Sequence, residues 1–396
     1  MIKKFLDLGL QPLANKYLRR SRKLIKKNNE LYHLEVMFDS NTKLVSLNKK
    51  IPVKKMFNNK YPYRSSMSKT MTLAFKKLSR KIKARFSPRL ILEIGSNDGA
   101  LIQNFNKEKV ICVEPCGNLA KITKKKGYFT YSNYWNISLA KKIKRKFNLV
   151  DVVYSANTIT HIENLDNVFK AISHVLSRNG VLIIEDPSLL ECLKKVSYDQ
   201  FYNEHIYLFS AISLSNIIRK FDLEIFDIEK LSTHGGSLRY FIKRKANKTL
   251  TIKKNVLVQI RNENKYRMQN FSTYKKFSDR VHLSKNKLKN VLESLKSQKK
   301  SIIGYGATAK VTTILNFCKI DNKLIDYFVD TTPDKKDKYV PGTNIIVKKY
   351  NKKLINPYKF IFLGAWNFKN EIFRKEKKFI IKGGKFITHI PFPKII

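Results

Sequence analysis

A chain of 396 residues with 43% apolar and 12% aromatic side chains is too long for one core and has ample apolar residues for several, so we expect two or three domains. No apolar run approaches the ~18 residues that span a bilayer, and the start MIKKFLDLGL lacks the apolar segment of a signal peptide, which predicts a cytoplasmic protein. A net charge of +50 would suit nucleic acid, but Lys outnumbers Arg about four to one and is spread along the chain, so we expect no nucleic-acid site and only a field that attracts phosphate-bearing substrates.

The first 70 residues are mixed in pattern. Alternating apolar and polar residues from Tyr32 to Leu47 favour a hairpin, and residues 60–70 read as a loop. Helical apolar spacing from Met71 to Phe86 ends before Pro88, which predicts a helix there. The four Cys residues include no Cys-x-x-Cys pair, so we read them as packing residues.

The stretch RLILEIGSNDGALIQNF, residues 89–105, predicts a buried strand, a glycine turn and the start of a helix. The dinucleotide fingerprint would place a second glycine at Asn97, so the turn after Gly95 suits a nucleoside without a pyrophosphate. Glu114 ends the next apolar run and can accept hydrogen bonds from ribose hydroxyls. S-adenosylmethionine is the ligand that this pattern favours.

Strands predicted at 90–94, 110–114, 150–155 and 181–185 alternate with helices, which is typical of a doubly wound parallel sheet. Ligands of such sheets bind beyond the carboxyl ends of the strands. Asn157 and His161 follow the third of these strands, where a parallel sheet presents its active-site loop.

Residues 202–207, YNEHIY, form the densest group of titratable side chains. A histidine such as His205, with a neighbouring Glu or Tyr to set its tautomer, suits a general base that removes a proton next to a carbonyl. Tyr207 is a further candidate for substrate contact. Downstream, His234 precedes Gly235 in a turn that would let backbone approach a ligand closely.

The last third of the chain repeats the opening pattern. Residues 250–300 predict a charged helix pair, and residues 301–317 predict a second strand, glycine turn and helix, followed by a strand ending in Asp330. The turn fits G-x-G-x-x-A and could bind a dinucleotide. We favour a different role, in which Gly306 and Lys310 receive the diphosphate of a nucleotide-linked substrate.

Ten stretches of the chain occur in the order found in one known family. They are LGLQPLAN, YPYRSSMSKT, LEIGSNDGALI, VEP, NTITHIENL, FYNEHIYLFS, THGGSLR, GYGATAK, VDTTPDKKDKYVPGT and LGAWNFKNEI. In these the chain resembles the sugar C-methyltransferases, which use S-adenosylmethionine and act at C-3 of nucleotide-linked 4-keto-deoxysugars.

The resemblance implies three domains. These are a remnant of a zinc-binding domain at 1–70, a class I methyltransferase Rossmann-like domain at 71–245, and a C-terminal Rossmann-like α/β domain at 246–396 with a helical linker at 246–300. It also implies a deoxysugar-biosynthesis enzyme. We expect a monomer or a homodimer.

The resemblance further assigns roles to individual residues. It makes His205 the base, with Tyr202 and Glu204 around the sugar. The predicted methyl-donor contacts are Glu93, Gly95, Asn97, Asp98, Glu114 and Asn157. The predicted acceptor contacts are His161, Tyr207, His234, Gly235, Gly306 and Lys310.

The chain departs from the family at two places. The family's zinc ligands are two Cys-x-x-Cys pairs, and no Cys precedes Cys112 here, so we expect no zinc. Asn203 stands where the family often has His, which could change substrate contacts. Two alternatives stay open: an RNA-modifying methyltransferase, favoured by the charge, and an inactive S-adenosylmethionine-binding protein of the same fold.

Overall fold

A computed structural model describes residues 1–19 and 30–396, which form three β-sheets. The strands are β1 Ile2–Pro12, β2 Leu31–Asp39, β3 Val45–Leu47, β4 Ile91–Ile94, β5 Val110–Val113, β6 Phe129–Tyr131, β7 Val150–Ala156, β8 Leu176–Pro187, β9 Tyr207–Leu208, β10 Leu223–Leu231, β11 Ser237–Arg244, β12 Ile302–Tyr305, β13 Tyr327–Asp330, β14 Lys338–Tyr339, β15 Ile346–Lys349, β16 Phe360–Leu363, β17 Lys385–Thr388 and β18 Lys394–Ile395.

The α-helices lie mostly between the strands of the two larger sheets. They are α1 Val53–Met56, α2 Lys69–Phe86, α3 Gly117–Lys125, α4 Ile137–Phe147, α5 Leu165–Val175, α6 Leu189–Lys195, α7 Ala211–Ile218, α8 Lys254–Lys265, α9 Phe271–Ser297, α10 Ala309–Phe317, α11 Lys352–Ile355, α12 Lys369–Lys375 and α13 Lys377–Ile381. Within the described part of the chain, none of the helices is both long and apolar enough to cross a membrane.

The first sheet is antiparallel, in the order β1-β2-β3-β9. The hairpin predicted after Tyr32 is confirmed, because β2 pairs with β3 through Val36 and Leu47. Strand β9 comes from the middle of the chain, so the first sheet reaches the segment that contains His205. Its inner face packs on α9, where the rings of Phe38 and Tyr274 stack with their centroids 4.3 Å apart.

The second sheet has the order β10-β11-β8-β7-β4-β5-β6, and its five strands from β8 to β6 run parallel. Strand β4 lies in the interior of this parallel part, and its four residues are all buried. A strand covered on both faces needs a continuous apolar run rather than an alternating one, which is what Ile91, Leu92 and Ile94 supply. The predicted α/β fold with a doubly wound parallel sheet is confirmed.

The prediction that a helix begins near Leu101 is wrong. The chain makes turns after Gly99 and then two short 3₁₀ turns, Ile102–Asn104 and Lys107–Lys109, before β5 begins at Val110. Leu101, Ile102 and Phe105 have helical spacing because they point into the core beneath the sheet. The segment between turn and strand is too short for an α-helix and a return, so burial decided its form over periodicity.

The third sheet has the order β14-β15-β13-β12-β16-β17-β18, with antiparallel strands at its two edges. The predicted second strand, turn and helix is present as β12 followed by α10. The predicted helix pair between the second and third sheets is also present, as α8 and α9.

Candidate active site

A cavity of about 620 Å³ opens at the carboxyl ends of β4, β5 and β7 and extends to the carboxyl ends of β12 and β13. Two glycine turns, one from each of the larger sheets, therefore face one space. Eleven of the residues singled out from the sequence line it: Glu93, Gly95, Asn97, Glu114, Asn157, His161, Tyr202, His205, His234, Gly306 and Lys310.

Four other predicted residues do not line this cavity. The Asp98 carboxylate accepts hydrogen bonds from the backbone and hydroxyl of Ser66, and so holds the loop before α2. The Tyr207 hydroxyl donates to the carbonyl of Glu163, 2.6 Å away. Gly235 borders a separate cavity of about 530 Å³. Glu204 does not line the cavity itself but is hydrogen-bonded to two lining residues, Asn15 and Tyr61.

The first glycine turn is shaped by close packing against the loop after β7. Gly95 has φ +78°, and a Cβ there would lie 2.1 Å from the Thr158 Oγ1, so only glycine fits. Asn97 also has a positive φ, of 50°. Its N–H donates to the Glu114 carboxylate over 2.8 Å, which joins the turn to the end of β5.

The floor of the cavity beside this turn is acidic. Glu93 is 4% exposed, and its Oε2 has no hydrogen-bond partner among the described residues. Burial, with the charges of Glu114 and Asp98 nearby, raises the pKa of Glu93 well above its ordinary value. Buried carboxyl groups with a free oxygen suit a cationic ligand, because a positive charge would offset their cost of burial. A nucleoside that carries a sulfonium group fits these carboxyl groups.

His205 has a defined tautomer. Its Nδ1 lies 2.9 Å from the carbonyl oxygen of Gln200, which only accepts, so Nδ1 carries the proton. Nε2 is then the basic atom, and the hydroxyl of Tyr202 donates to it over 2.7 Å. Burial lowers the pKa of His205 well below its ordinary value, and the neighbouring His161 and Lys310 lower it further. At neutral pH the ring is therefore uncharged and able to accept a proton at Nε2.

The imidazole of His205 is held within a row of rings. The His161 ring stacks on it at a centroid distance of 5.1 Å, and Phe57 stacks on the other face of His161, also at 5.1 Å. Tyr202 packs against His205 at 4.1 Å. Burial lowers the pKa of His161 to about 3, so it too is uncharged at neutral pH. The row fixes the plane in which Nε2 points.

Glu204 organises two residues that the sequence did not single out individually. Its carboxylate accepts from Asn15 Nδ2 over 2.7 Å and from the Tyr61 hydroxyl over 2.9 Å, and both donors line the cavity. Burial raises the pKa of Glu204 to about 7, although these hydrogen bonds oppose the shift. Asn15 and Tyr61 lie in LGLQPLAN and YPYRSSMSKT, two of the stretches that carry the family resemblance, and this is the only sequence signal that could have found them.

The second glycine turn is closed by its own side chains. The Asp330 carboxylate accepts from Ala307 N over 2.8 Å and from Thr332 N over 2.7 Å, so both of its oxygens are already engaged. Lys335 donates to the Ala307 carbonyl over 2.6 Å. Each carboxylate oxygen keeps a second lone pair, so these contacts leave Asp330 able to accept from a ligand hydroxyl. The dinucleotide alternative for this turn stays open beside the role in binding a diphosphate.

Lys310 brings a cation to the same side of the cavity. It is 7% exposed, its Nζ lies 3.4 Å from the carbonyl of His234, and its ammonium sits 5.6 Å from the ring centroid of Trp366. Burial lowers its pKa, while the charge of Asp199 opposes that effect. A buried ammonium on a cavity wall is complementary to an anionic group.

One group in the described residues, Asp7, His33 and Glu35, has the spacing for a metal ion. The two carboxylates already pair with His33 Nε2 at 3.0 Å and with Lys4 Nζ at 2.7 Å. The residues are partly exposed, and none is a cysteine. The expectation that the chain carries no zinc remains a prediction.

Comparisons with known proteins agree with this geometry. The family model described as "Methyltransferase domain" matches residues 63–228, and the one described as "C-methyltransferase C-terminal domain" matches residues 232–391. The C-methyltransferase NovU of Streptomyces niveus is 28% identical over 309 residues, which are 78% of this chain and 73% of NovU.

Solved structures are similar only in part. An S-adenosylmethionine-dependent methyltransferase from Clostridium acetobutylicum is 14% identical with a TM-score of 0.34, covering 44% of this chain and 92% of that one. The magnesium protoporphyrin IX methyltransferase of Synechocystis with bound S-adenosylmethionine is 12% identical with a TM-score of 0.33, covering 44% and 79%. The fold is therefore read from the strand orders themselves.

The two family matches adjoin each other and together take in both glycine turns and the His205 segment. The protein is an S-adenosylmethionine-dependent methyltransferase, and the region that follows its methyltransferase domain is similar to the C-terminal domain of C-methyltransferases.

Proposed function

We propose that this protein methylates the carbon next to the ketone of a nucleotide-linked keto-deoxysugar. The observation that carries the proposal is the orientation of His205. Its Nδ1–H is fixed on the Gln200 carbonyl, and its basic Nε2 lies beside Tyr202, in the same cavity as the acidic turn at Gly95. A base in this position suits removal of an activated C–H proton, which few other methyl acceptors require.

The donor half of the site is the turn after β4. We propose that Gly95, Asn97 and Glu114 hold the nucleoside and that Glu93 faces the positive charge. S-adenosylmethionine, when bound, supplies an electrophilic methyl group on a positively charged sulfur. The protein's task on this side is to hold that group at attack distance and to exclude water, and positioning of this kind can supply several kcal/mol.

The acceptor half is the wall formed by His205, Lys310 and the second glycine turn. The Tyr202 hydroxyl donates to the single lone pair of His205 Nε2, so Nε2 takes the proton of that hydroxyl while the Tyr202 oxygen takes the proton of the substrate C–H in exchange. The carbanion that remains is stabilised by the neighbouring ketone and is the nucleophile for methyl transfer. Lys310 supplies the positive charge for the phosphates of the acceptor. The similarity to the C-methyltransferase NovU supports methyl transfer to carbon but does not identify a sugar.

The decisive experiment separates proton removal from methyl transfer. In D₂O without methyl donor, the protein should exchange deuterium into the carbon next to the ketone of a 4-keto sugar nucleotide. His205→Ala should slow both this exchange and methyl transfer by about 10² to 10⁴, the usual contribution of a positioned base. Affinity for S-adenosylmethionine, measured by calorimetry, should not change.

His282→Asn is the matched control, because His282 is exposed on α9 and should keep full activity. If His205→Ala methylated the sugar at the rate of the unmodified protein, the assignment of the base would be wrong. Tight binding of S-adenosylmethionine with no turnover on any keto sugar nucleotide would instead favour the inactive binding protein.

A further inference from the structure

Asp199 is a buried acid that proton removal and methyl transfer, as proposed, do not use. Its side chain and that of His389 are both 0% exposed. The Asp199 Oδ2 accepts from the indole Nε1 of Trp366 over 2.6 Å and lies 3.4 Å from the Nε2 of His389. Trp366 follows β16 and His389 follows β17, so both partners lie in segments that follow strands of the third sheet.

The surroundings of Asp199 favour the ionised form of its carboxyl group. Burial alone would raise the pKa of Asp199, but the hydrogen bond and charge of His389, with the charge of Lys310, leave the pKa below its ordinary value. An ionised carboxylate in the interior is costly unless it is paired and hydrogen-bonded, and removing one partner leaves the charge exposed to that cost. The contacts of Oδ2 with Trp366 and His389 therefore hold Asp199, while its Oδ1 has no hydrogen-bond partner among the described residues.

The backbone that follows Asp199 leads directly to the base. The next residue, Gln200, gives its carbonyl to the Nδ1 of His205 at 2.9 Å and donates its side-chain amide to the carbonyl of His234 at 2.8 Å. The atom that sets the tautomer of His205 is thus one residue away from the anchored carboxylate. A shift of Asp199 moves that atom.

Trp366 touches the opposite wall of the same region. A Cβ on Gly235 would lie 2.1 Å from its ring, so the turn that follows His234 is shaped around this indole. Trp366 therefore contacts two segments at once, the one that carries Asp199 and the one that carries His234. The loop after β16 thus contacts both the segment before His205 and the turn after His234.

We propose that Asp199 is a positioning residue, which Trp366 and His389 of the C-terminal domain hold in place so that the Gln200 carbonyl fixes the tautomer and direction of His205. The C-terminal domain then acts on the base as well as forming the acceptor wall. The catalytic meaning of this arrangement rests on the proposed function, but the arrangement itself can be measured without a substrate.

The test reads the tautomer of His205 by ¹⁵N nuclear magnetic resonance of histidine-labelled protein, with the signal assigned through its loss in His205→Asn. The unmodified protein should show His205 protonated at Nδ1 alone. Asp199→Asn should give a mixture of tautomers and lower kcat about 10- to 100-fold, the usual effect of a misplaced catalytic group. The affinity for S-adenosylmethionine should stay within about twofold, because the donor turn is untouched.

Trp366→Phe is the second variant, since it removes the N–H donor and keeps an aromatic, although smaller, side chain. It should shift kcat and the tautomer in the same direction as Asp199→Asn, but less. Tyr327→Phe is the matched control: it removes a 2.6 Å hydrogen bond to Leu354 within the same domain, away from the cavity, and should change neither readout.

An unchanged His205 tautomer in folded Asp199→Asn and Trp366→Phe would overturn the proposal. If Asp199→Asn does not fold, Trp366→Phe decides alone. Failure of the proposed function would look different: His205→Ala would keep full methyl transfer, while the tautomer of His205 would still respond to Asp199→Asn.

Discussion

The two glycine turns share one local plan and differ in charge. Each follows a buried strand, and in each the acid at the end of the next strand accepts from a backbone N–H of the turn at 2.8 Å: Glu114 from Asn97, and Asp330 from Ala307. Around the first turn lie the carboxyl groups of Glu93 and Glu114. Around the second lie two ammonium groups, of Lys310 and Lys335, against the one carboxylate of Asp330.

The helices reinforce this division. The second turn leads into α10, whose N-terminus carries a partial positive charge, whereas the first leads only into the 3₁₀ turns at 102–104 and 107–109. Because no α-helix follows the first turn, no helix N-terminus adds positive potential where, under the proposed function, a sulfonium would bind. At the second turn, the N-terminus of α10 adds positive potential where phosphates would bind. One backbone motif can thus serve ligands of opposite charge, and the surrounding residues decide which.

Replacing one glycine in each turn should break the comparison most strongly. Gly95→Ala places a Cβ 2.1 Å from Thr158 at φ +78°, and Gly306→Ala places one 2.4 Å from Ala365 at φ +83°. We expect Gly95→Ala to weaken binding of S-adenosylmethionine at least about 100-fold, because the turn must open. Gly306→Ala should leave that affinity nearly unchanged and raise KM for the acceptor. Calorimetry and steady-state kinetics measure the two effects.

Gly383→Ala controls for backbone strain alone. Gly383 has φ +82°, and an added methyl group would meet none of the described residues within 4 Å, so the change should cost about 1 kcal/mol of stability and spare both affinities. Equal donor affinity in Gly95→Ala and Gly383→Ala would show that the first turn does not hold the donor.

Neutralising the acid of each turn should give a smaller contrast. Glu114→Gln keeps the size of the side chain but removes the charge and one of two acceptors, which now bind Asn97 N and Cys116 N at 2.8 Å each. We expect donor affinity to fall about 10-fold or somewhat more, given the roughly 1.5–3 kcal/mol of a hydrogen bond to a charged group. Asp330→Asn should leave donor affinity unchanged. A loss of donor affinity in Asp330→Asn would contradict the division of roles.

Removing the buried cation of the second turn should weaken binding of the acceptor and leave binding of the donor unchanged. Lys310→Met keeps the length of the side chain and its packing on Trp366, but it removes the ammonium from the cavity wall. We expect KM for a nucleotide-linked sugar to rise about 10-fold, with donor affinity unchanged. The rise should shrink at high ionic strength, since salt screens the attraction in the unmodified protein. Lys377→Met, at an exposed lysine, should show no such rise.

The sequence predicted the positions of the two glycine turns better than the contacts around them. Apolar runs and glycines locate both turns, and strand β4 is where its run of Ile and Leu indicates. The absent helix could not be foreseen, because Leu101 and Phe105 have the same spacing whether they face a helix groove or the core beneath the sheet. The roles of Trp366 and Asp199 depend on residues 167 positions apart meeting in space, which no local pattern encodes.

The smallest expected effect is on the pH dependence of stability, and it concerns the buried acid Glu204. Glu204 accepts from Asn15 and Tyr61, and burial raises its pKa from 4.5 to about 7. A carboxyl group whose pKa is higher in the folded state contributes stability that is fully present below pH 4.5 and is lost as pH rises through 7. Glu204→Gln removes this pH dependence of stability, but it also replaces one of the two accepting carboxylate oxygens with an amide NH₂ group. We therefore expect the variant to be slightly less stable than the unmodified protein near pH 4.5 and more stable by about 1 kcal/mol at about pH 8.

Thermal unfolding at about pH 4.5, 6 and 8 would measure this crossover. Glu108→Gln, at an exposed carboxylate, should show no crossover over the same range. A Glu204→Gln variant that was less stable at every pH would mean that Glu204 is ionised throughout, held so by Tyr61 and Asn15. In that case the acceptor half would carry a permanent negative charge beside its lysines, and the contrast in charge between the two turns would be weaker than their side chains indicate.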